Sequence, residues 1–209
     1  DLKDGLVAYY PFNGNANDES GNGNNGTVNG ATLTTDRFGN TNKAYSFDGV
    51  DDYIEVNNST TLNPSEITLS AWVNLKDLSQ NTELHNHHII LNKENQYEFA
   101  IMGEPYDSAT TNEVAFAFNP RWYWYGADYT VELNKFIHIA ISFDGSYKAK
   151  VYINGNKTKE ISYSSAISTK NYGLRIGARN SPGNATAIFN GIIDEVRISN
   201  IARTPEEIK

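Results

Sequence analysis

Short segments in which apolar and polar residues alternate recur along most of the chain. In the segment 136–143, every second residue from Ile137 onward is apolar, and the segment 67–75 alternates in the same way. Turn signals separate these segments, and Asn154-Gly155 between two of them is typical of a two-residue β-hairpin. The pattern predicts an all-β protein built from about a dozen short strands.

The C-terminal end alone has a helical pattern. Thr204 can cap a helix, and Pro205 suits the first helical position. Glu206 and Glu207 favour the positive end of a helix dipole. The sequence has no internal repeat and no linker rich in Pro or Ser between the strands. We therefore expect a single domain over residues 1–209, an antiparallel β-sandwich (jelly roll) with one short C-terminal helix.

Composition narrows the class of partner. The chain has 17 Lys and Arg against 25 Asp and Glu, a formal net charge of −8. Nucleic acid and anionic lipid are bound through clustered basic residues, so this acidic balance argues against both as main partners. No apolar run approaches the ~20 residues that a membrane span needs. The absence of Cys excludes disulfides, thiolate zinc sites and Cys nucleophiles.

The strand segments also follow a recognisable order. They are, along the chain, 6–12 with the loop 17–23, the hairpin 44–56, then 67–73, 137–145, 150–155, 174–177, 189–198 and 205–208. In this order they resemble the laminin G-like, concanavalin A-like jelly rolls that are common in bacterial extracellular proteins. The resemblance spans nearly the whole chain and implies the fold, whereas a ligand depends on the particular site. The segment 78–130 matches no pattern of the family.

The resemblance implies a structural calcium ion. In the family, this ion joins the acidic, Asn-rich loop, here 17–25, to the Asp of the last strand. The expected side-chain ligands are two carboxylates supported by three further oxygen donors: Asp18 and Asp194, then Ser20, Asn24 and Asp48. Carboxylate, amide and carbonyl oxygens are the ligands that Ca²⁺ takes. The alternative is a solvated turn in which the Asp side chain caps its own backbone.

The aromatic run 121–125 is the main candidate for ligand contacts. If it is extended, the two Trp side chains share one face, and Arg with two Tyr shares the other: Trp122 and Trp124, then Arg121, Tyr123 and Tyr125. Burying both faces would be costly, so we expect one aromatic pair to be exposed as a platform for sugar rings. Core packing is the alternative interpretation.

A polar segment upstream is the second candidate. If it is extended, His85 and His87 point the same way and could share a zinc ion with Glu83. Two His residues without a clear third ligand are a weak metal site, so we favour hydrogen bonding to a sugar. The alternative is a polar loop that enters a strand at Ile89.

The sequence carries no pattern typical of a catalytic centre. It has neither a Gly-x-Ser-x-Gly elbow nor a Gly-rich phosphate loop before a helix. Related jelly-roll glycosidases place two carboxylates about 5 Å apart in a Glu-x-Asp-x-x-Glu arrangement, which is missing.

These observations predict a non-catalytic carbohydrate-binding module, stabilised by structural calcium, in a secreted or cell-surface bacterial protein. We expect its partner to be a polysaccharide or oligosaccharide, and the domain to be a monomer within a larger multidomain protein. The first alternative is an adhesin or surface-assembly domain that binds protein through the same aromatic run. The second is a glycoside hydrolase or polysaccharide lyase.

Overall fold

The computed structural model describes residues 1–78, 86–163, 165–181 and 184–209, and its secondary structure is almost entirely β. Within these ranges the strands are β1 (Leu6–Tyr10), β2 (Gly26–Asn29), β3 (Thr32–Thr34), β4 (Ala44–Asp48), β5 (Tyr53–Val56), β6 (Ile67–Leu75), β7 (His87–Lys93), β8 (Tyr97–Met102), β9 (Glu113–Phe118), β10 (Tyr125–Thr130), β11 (Phe136–Phe143), β12 (Lys148–Ile153), β13 (Asn156–Ser162), β14 (Leu174–Ile176), β15 (Arg179–Ser181), β16 (Asn184–Thr186) and β17 (Asn190–Ser199). A 3-10 helix covers Thr60–Leu62, and the α-helix α1 covers Pro205–Ile208.

Two antiparallel sheets form the sandwich. Sheet A has the strand order β13-β12-β11-β6-β17-β4-β3, and β1 also pairs with β17. Sheet B has the order β10-β9-β8-β7-β14-β5-β2, and β15 and β16 form a separate hairpin. The predicted all-β jelly-roll sandwich with one short C-terminal helix is confirmed. In the described ranges, no helix has the length and apolar character needed to cross a bilayer.

Local sequence signals explain several of these elements. Asn154 and Gly155 both adopt left-handed φ values, 49° and 76°, which is the type I′ geometry of a tight hairpin between β12 and β13. At the C-terminus, Thr204 and Glu207 form a reciprocal capping box at the start of α1. The predicted hairpin and helix start are therefore confirmed.

The facing surfaces of the two sheets form the main core. Ile139 and Ile141 of β11 are fully buried, as the alternation in the sequence predicts. Phe116 and Phe118 of β9 pack opposite them from sheet B. Each such side chain contributes about 1.5–3 kcal/mol when it leaves water, so this core is the main source of stability.

The central strands of sheet B are buried on both faces. Every residue of β7, β8 and β9 is buried. In β9 the large Phe side chains enter the main core, while Ala115 and Ala117 face outward. There they belong to a second cluster that includes Trp124 and Ala187 from other segments. Loops therefore cover the outer face of this sheet.

A β-bulge interrupts the last strand. One half of β17 pairs with β4 and the other half with β1, and the bulge separates the halves at Asp194 and Glu195. Glu195 has a φ of 48°. Because the bulge breaks the alternation of side chains, both neighbouring carboxylates contact Arg37, at 2.9 Å and 3.0 Å.

Arg203 joins the two ends of the chain. Its buried guanidinium donates to the backbone carbonyls of Leu2 at 2.8 Å and Asp4 at 2.7 Å. It also contacts the carboxylate of Glu207 in α1 at 3.3 Å. A planar group with several donors suits this set of acceptors.

We expect Arg203→Ala to lower the free energy of unfolding by about 2 kcal/mol, because partly buried acceptors lose their donor. For a chain of this size the melting temperature then falls by about 4–8 °C. Arg203→Lys should restore only part of the loss, since an ammonium lacks the planar fork. Lys135→Ala, which removes an exposed pair with Glu132, is the control and should change little. Equal melting temperatures for Arg203→Ala and wild type, measured by circular dichroism, would contradict this prediction.

Candidate functional site

The aromatic run 121–125 is not one continuous strand. Strand β10 begins only at Tyr125, and the residues before it are irregular. The two Trp side chains are consequently separated: Trp122 is 41% exposed, whereas Trp124 is 4% exposed. The expectation that both Trp residues share one face does not hold, because an irregular backbone does not maintain strand alternation.

Trp124 packs on the outer face of sheet B. Its ring lies 4.7 Å from the ring of His87, measured between centroids. Its backbone N–H donates to Asp107 Oδ2 at 2.8 Å, and Ser108 Oγ donates to its carbonyl at 3.2 Å. The core-packing interpretation therefore describes Trp124.

His87 belongs to a buried polar layer beneath Trp124. Arg179 Nη2 donates to His87 Nδ1 at 3.0 Å, and Arg179 Nε and Nη2 each lie 3.2 Å from an oxygen of Glu98. Asn92 donates to the same carboxylate at 2.8 Å. Because a guanidinium only donates, Nδ1 of His87 accepts and is engaged by Arg179 rather than by a metal. The other members of the predicted set, Glu83 and His85, lie outside the described residues.

Arg121, Tyr123 and Tyr125, the other residues of the aromatic run, form a series in which each side chain contacts the next. The Arg121 guanidinium lies 5.8 Å from the ring of Tyr123, and the rings of Tyr123 and Tyr125 are 4.8 Å apart. Tyr125 continues into the main core by contacting Phe116 and Tyr163. The series therefore runs from an exposed cation, through a half-buried ring, to an anchored ring.

Several aromatic and basic side chains on the irregular segments beside β9 and β10 reach solvent, and we call them together the aromatic rim. It consists of Tyr106, Arg121, Trp122 and Tyr123. Tyr106 is 37% exposed and lies 5.8 Å from the ring of His87. Tyr106 was not among the predicted ligand residues; the available signal was its position in the polar segment 103–112, beside the turn-forming residues Pro105 and Asp107. The rim combines flat apolar rings with a cation, the groups that contact sugar faces and hydroxyls.

The Asp18 carboxylate accepts hydrogen bonds from the backbone and side chains of the acidic loop itself and so holds the loop in place. Asp18 Oδ1 accepts from the N–H groups of Tyr9 at 2.9 Å and Ser20 at 2.8 Å. Asp18 Oδ2 accepts from Ser20 Oγ at 2.8 Å and from the Asn24 N–H at 2.9 Å. A carboxylate has about four lone-pair positions, so these donors fully engage it. This arrangement matches the alternative in which Asp caps the local backbone.

Asp194 has a different partner. Its side chain is 2% exposed and its Oδ2 lies 2.9 Å from Arg37 Nη1. Burial, together with the charge of Glu195, raises the pKa of Asp194 to about 6 despite this pairing. The predicted pair of Asp18 and Asp194 therefore does not fit a calcium ion, because four donors occupy one carboxylate and a guanidinium occupies the other.

Asp48 lies elsewhere, at the end of β4 where the Asp-Gly turn begins. Its Oδ1 accepts from the Val50 N–H at 2.8 Å. With Asp51 and Asp52 it forms the one group of three or more potential metal-ligating side chains found in the described part of the chain, within 4.8 Å of one another. Such exposed acidic turns are common without an ion, and neither Asp18 nor Asp194 belongs to this group.

The comparison with known families agrees with this architecture. The family model described as the concanavalin A-like lectin/glucanases superfamily matches residues 47–209, which is most of the chain. This chain belongs to that superfamily. The resemblance seen in the order of the strand segments is thereby confirmed for this superfamily domain.

Solved structures with the same fold include sugar-binding and toxin domains. Domain 4 of AbnA, an extracellular GH43 arabinanase from Geobacillus stearothermophilus solved with arabinotriose, is 22% identical with a TM-score of 0.73, covering 97% of this chain and 96% of that one. The binding domain of Paraclostridial Mosquitocidal Protein 1 is 20% identical with a TM-score of 0.76, and the match covers 100% of this chain and 52% of that one. The binding domain of botulinum neurotoxin serotype D is 16% identical with a TM-score of 0.68, and the match covers 99% of this chain and 51% of that one. At these identities the likenesses show the fold, and this chain spans about half of each toxin domain. No curated protein matches the chain.

We expect EDTA to leave the melting temperature of this superfamily domain unchanged, whereas Asp18→Ala lowers it. The substitution deprives four donors of their acceptor, at a cost of about 1–3 kcal/mol in the free energy of unfolding. Glu19→Ala, at the neighbouring exposed carboxylate, is the matched control and should have little effect. A melting temperature that falls in EDTA and recovers with added Ca²⁺ would reinstate a structural calcium.

We expect Trp124→Ala to lower the free energy of unfolding by about 3–5 kcal/mol, because it opens a cavity on the outer face of sheet B. The matched control is Trp122→Ala, which removes the same side chain from an exposed position and should change the melting temperature by only about 1–2 °C. Differential scanning calorimetry measures both. Similar shifts for the two variants would contradict the assigned burial.

Proposed function

We propose that this chain is a non-catalytic carbohydrate-binding module that holds a polysaccharide or oligosaccharide at the aromatic rim. The observation that carries the proposal is the exposure of Trp122, 41%, next to the exposed Arg121. Trp and Tyr side chains that reach solvent are typical of binding surfaces, because a large apolar ring and a polar group are combined in one side chain.

The chemistry of the rim suits a sugar ring. The C–H groups on the face of a sugar pack against an indole or phenol ring, and this contact removes apolar area from water on both partners. The Arg121 guanidinium can donate to ring hydroxyls. Trp124, packed on His87, anchors the segment that carries Trp122. A pre-ordered segment loses less entropy when the ligand binds.

The comparisons support the same class of partner. The AbnA domain was solved with arabinotriose, and it is one domain of an extracellular enzyme. The toxin neighbours are described as binding domains. We extend these properties to this chain and propose that it serves a secreted or cell-surface protein as one module among others.

The two buried carboxylates on the outer face of sheet B support a non-catalytic role. Glu98 is closed from solvent and engaged by Arg179 and Asn92. Glu113 accepts from the N–H and hydroxyl of Thr110 and from the Asp128 N–H. Retaining glycosidases need two carboxyl groups about 5–5.5 Å apart that reach the substrate. Neither Glu98 nor Glu113 is free to act as the acid or the nucleophile of such an enzyme.

We expect Trp122→Ala to weaken glycan binding by roughly tenfold to sixtyfold while the protein remains folded. Losing a ring contact of about 50–100 Å² at ~25 cal/mol per Å² costs about 1–2.5 kcal/mol. Affinity electrophoresis across arabinans, xylans, pectins and glucans measures the loss. Leu133→Ala is the control, since Leu133 is a 44% exposed apolar residue in the turn between β10 and β11.

The same screen separates the alternatives. If folded wild-type protein retains no glycan of any class, the proposal fails and a protein-binding adhesin takes its place. If the wild type releases reducing sugar and Glu98→Gln abolishes the release, the domain is a hydrolase.

A further inference from the structure

A cavity lies on the outer face of sheet A, away from the sheet that carries the aromatic rim. Its volume is about 240 Å³, and strands β11, β6 and β17 form its floor. Trp72 and His138 face each other across β6 and β11, with ring centroids 5.3 Å apart. Arg197 of β17 lines the same cavity. None of these three residues was a ligand candidate in the sequence analysis.

The cavity wall presents donors that lack protein acceptors. Within the described residues, no acceptor bonds the indole N–H of Trp72 or the imidazole of His138. Burial lowers the pKa of His138 to about 4, so at neutral pH its ring is uncharged and presents one donor and one acceptor. Polar groups of this kind in a partly enclosed cavity favour a ligand that supplies complementary oxygens.

The arginines around the cavity differ in their pairing. Arg37 lies 4.5 Å from the Trp72 ring, and its guanidinium forms ion pairs with both Asp194 and Glu195. Arg203 contacts Glu207. Their charges are therefore compensated inside the protein.

Arg197 is the exception. Its guanidinium lies 4.0 Å from the Tyr9 ring, and in the described part of the chain it forms no ion pair with a carboxylate. Arg197 is thus a partly shielded cation without an ion-pair partner in the described part of the chain, and the lining of the cavity places Arg37, Arg197, Arg203 and Lys209 against Glu195 and Glu207. A guanidinium presents a planar pair of donors that matches a carboxylate or a sulfate.

We infer that this cavity binds the anionic group and ring of one acidic sugar unit, with the carboxylate or sulfate on Arg197 and the hydroxyls on Trp72 and His138. The choice of a sugar rests on the proposed function, whereas the anion preference rests on the pairing of the arginines. The cavity is smaller than the ~300–1,000 Å³ typical of drug-sized ligands, so it suits a single ring. It is a site separate from the aromatic rim.

The test titrates the full chain with D-glucuronate, D-glucose 6-sulfate, D-glucose and sodium sulfate, using isothermal calorimetry. We expect one or both acidic sugars to bind saturably and more tightly than D-glucose, with affinity that falls as salt rises. Arg197→Gln should weaken this binding at least about tenfold, while the melting temperature falls by no more than about 1–4 °C because the contact with the Tyr9 ring is lost. Arg197→Lys keeps the positive charge but lacks the planar pair of donors. Its affinity should therefore lie between the affinities of wild type and Arg197→Gln. Comparing the two acidic sugars distinguishes the carboxylate from the sulfate.

Trp122→Ala separates this inference from the proposed function, because it should leave acidic-sugar binding unchanged. The inference is overturned if neither acidic sugar binds better than D-glucose, or if Arg197→Gln retains the affinity. Sodium sulfate that binds as tightly as D-glucose 6-sulfate would also overturn it, because the site would then recognise an anion alone. Polysaccharide binding that is lost in Trp122→Ala but kept in Arg197→Gln supports the aromatic rim under each of these outcomes.

Discussion

The burial of β7, β8 and β9 on both faces is the constraint on which the rest of the structure depends. A buried charge is costly unless it is paired, so the polar side chains on these strands need partners inside the protein. Glu98 is paired with Arg179. Lys93 donates to Asn58 and to the carbonyls of Lys170 and Tyr172, and its burial lowers the pKa of its ammonium group to about 8. These contacts attach the surrounding loops to sheet B.

The two sheets consequently offer different surfaces. Over the central strands of sheet B the covering segments reach solvent while β7, β8 and β9 do not, and the aromatic rim lies on irregular segments of this kind. On sheet A, the middle strands stay partly open, and the bulge at Asp194 and Glu195 directs Arg37 over Trp72. That arrangement closes one side of the cavity and leaves Arg197 facing it. Both candidate sites are therefore consequences of how each sheet is covered.

Local sequence patterns predicted the architecture well. Alternation identified strands such as β11, the Asn154-Gly155 pair identified a hairpin, and Thr204 with Glu207 identified the start of α1. These signals succeed because turn geometry, strand alternation and helix capping depend on residues a few positions apart. The calcium set depends on contacts that no local pattern contains. Asp18 satisfies its loop through neighbouring donors, and Asp194 is paired with a residue 157 positions away in the chain.

The sequence by itself determined the fold class, the strand pattern, the acidic charge and the presence of an aromatic run. Only the tertiary structure decided which members of that run reach solvent. Trp122 and Trp124 are the same residue type two positions apart, yet one is exposed and the other is covered. The reason is physical: exposure depends on the segments that pack over a side chain, such as the one carrying Ala187 on Trp124. Those segments are distant in the chain, so no local pattern contains the answer.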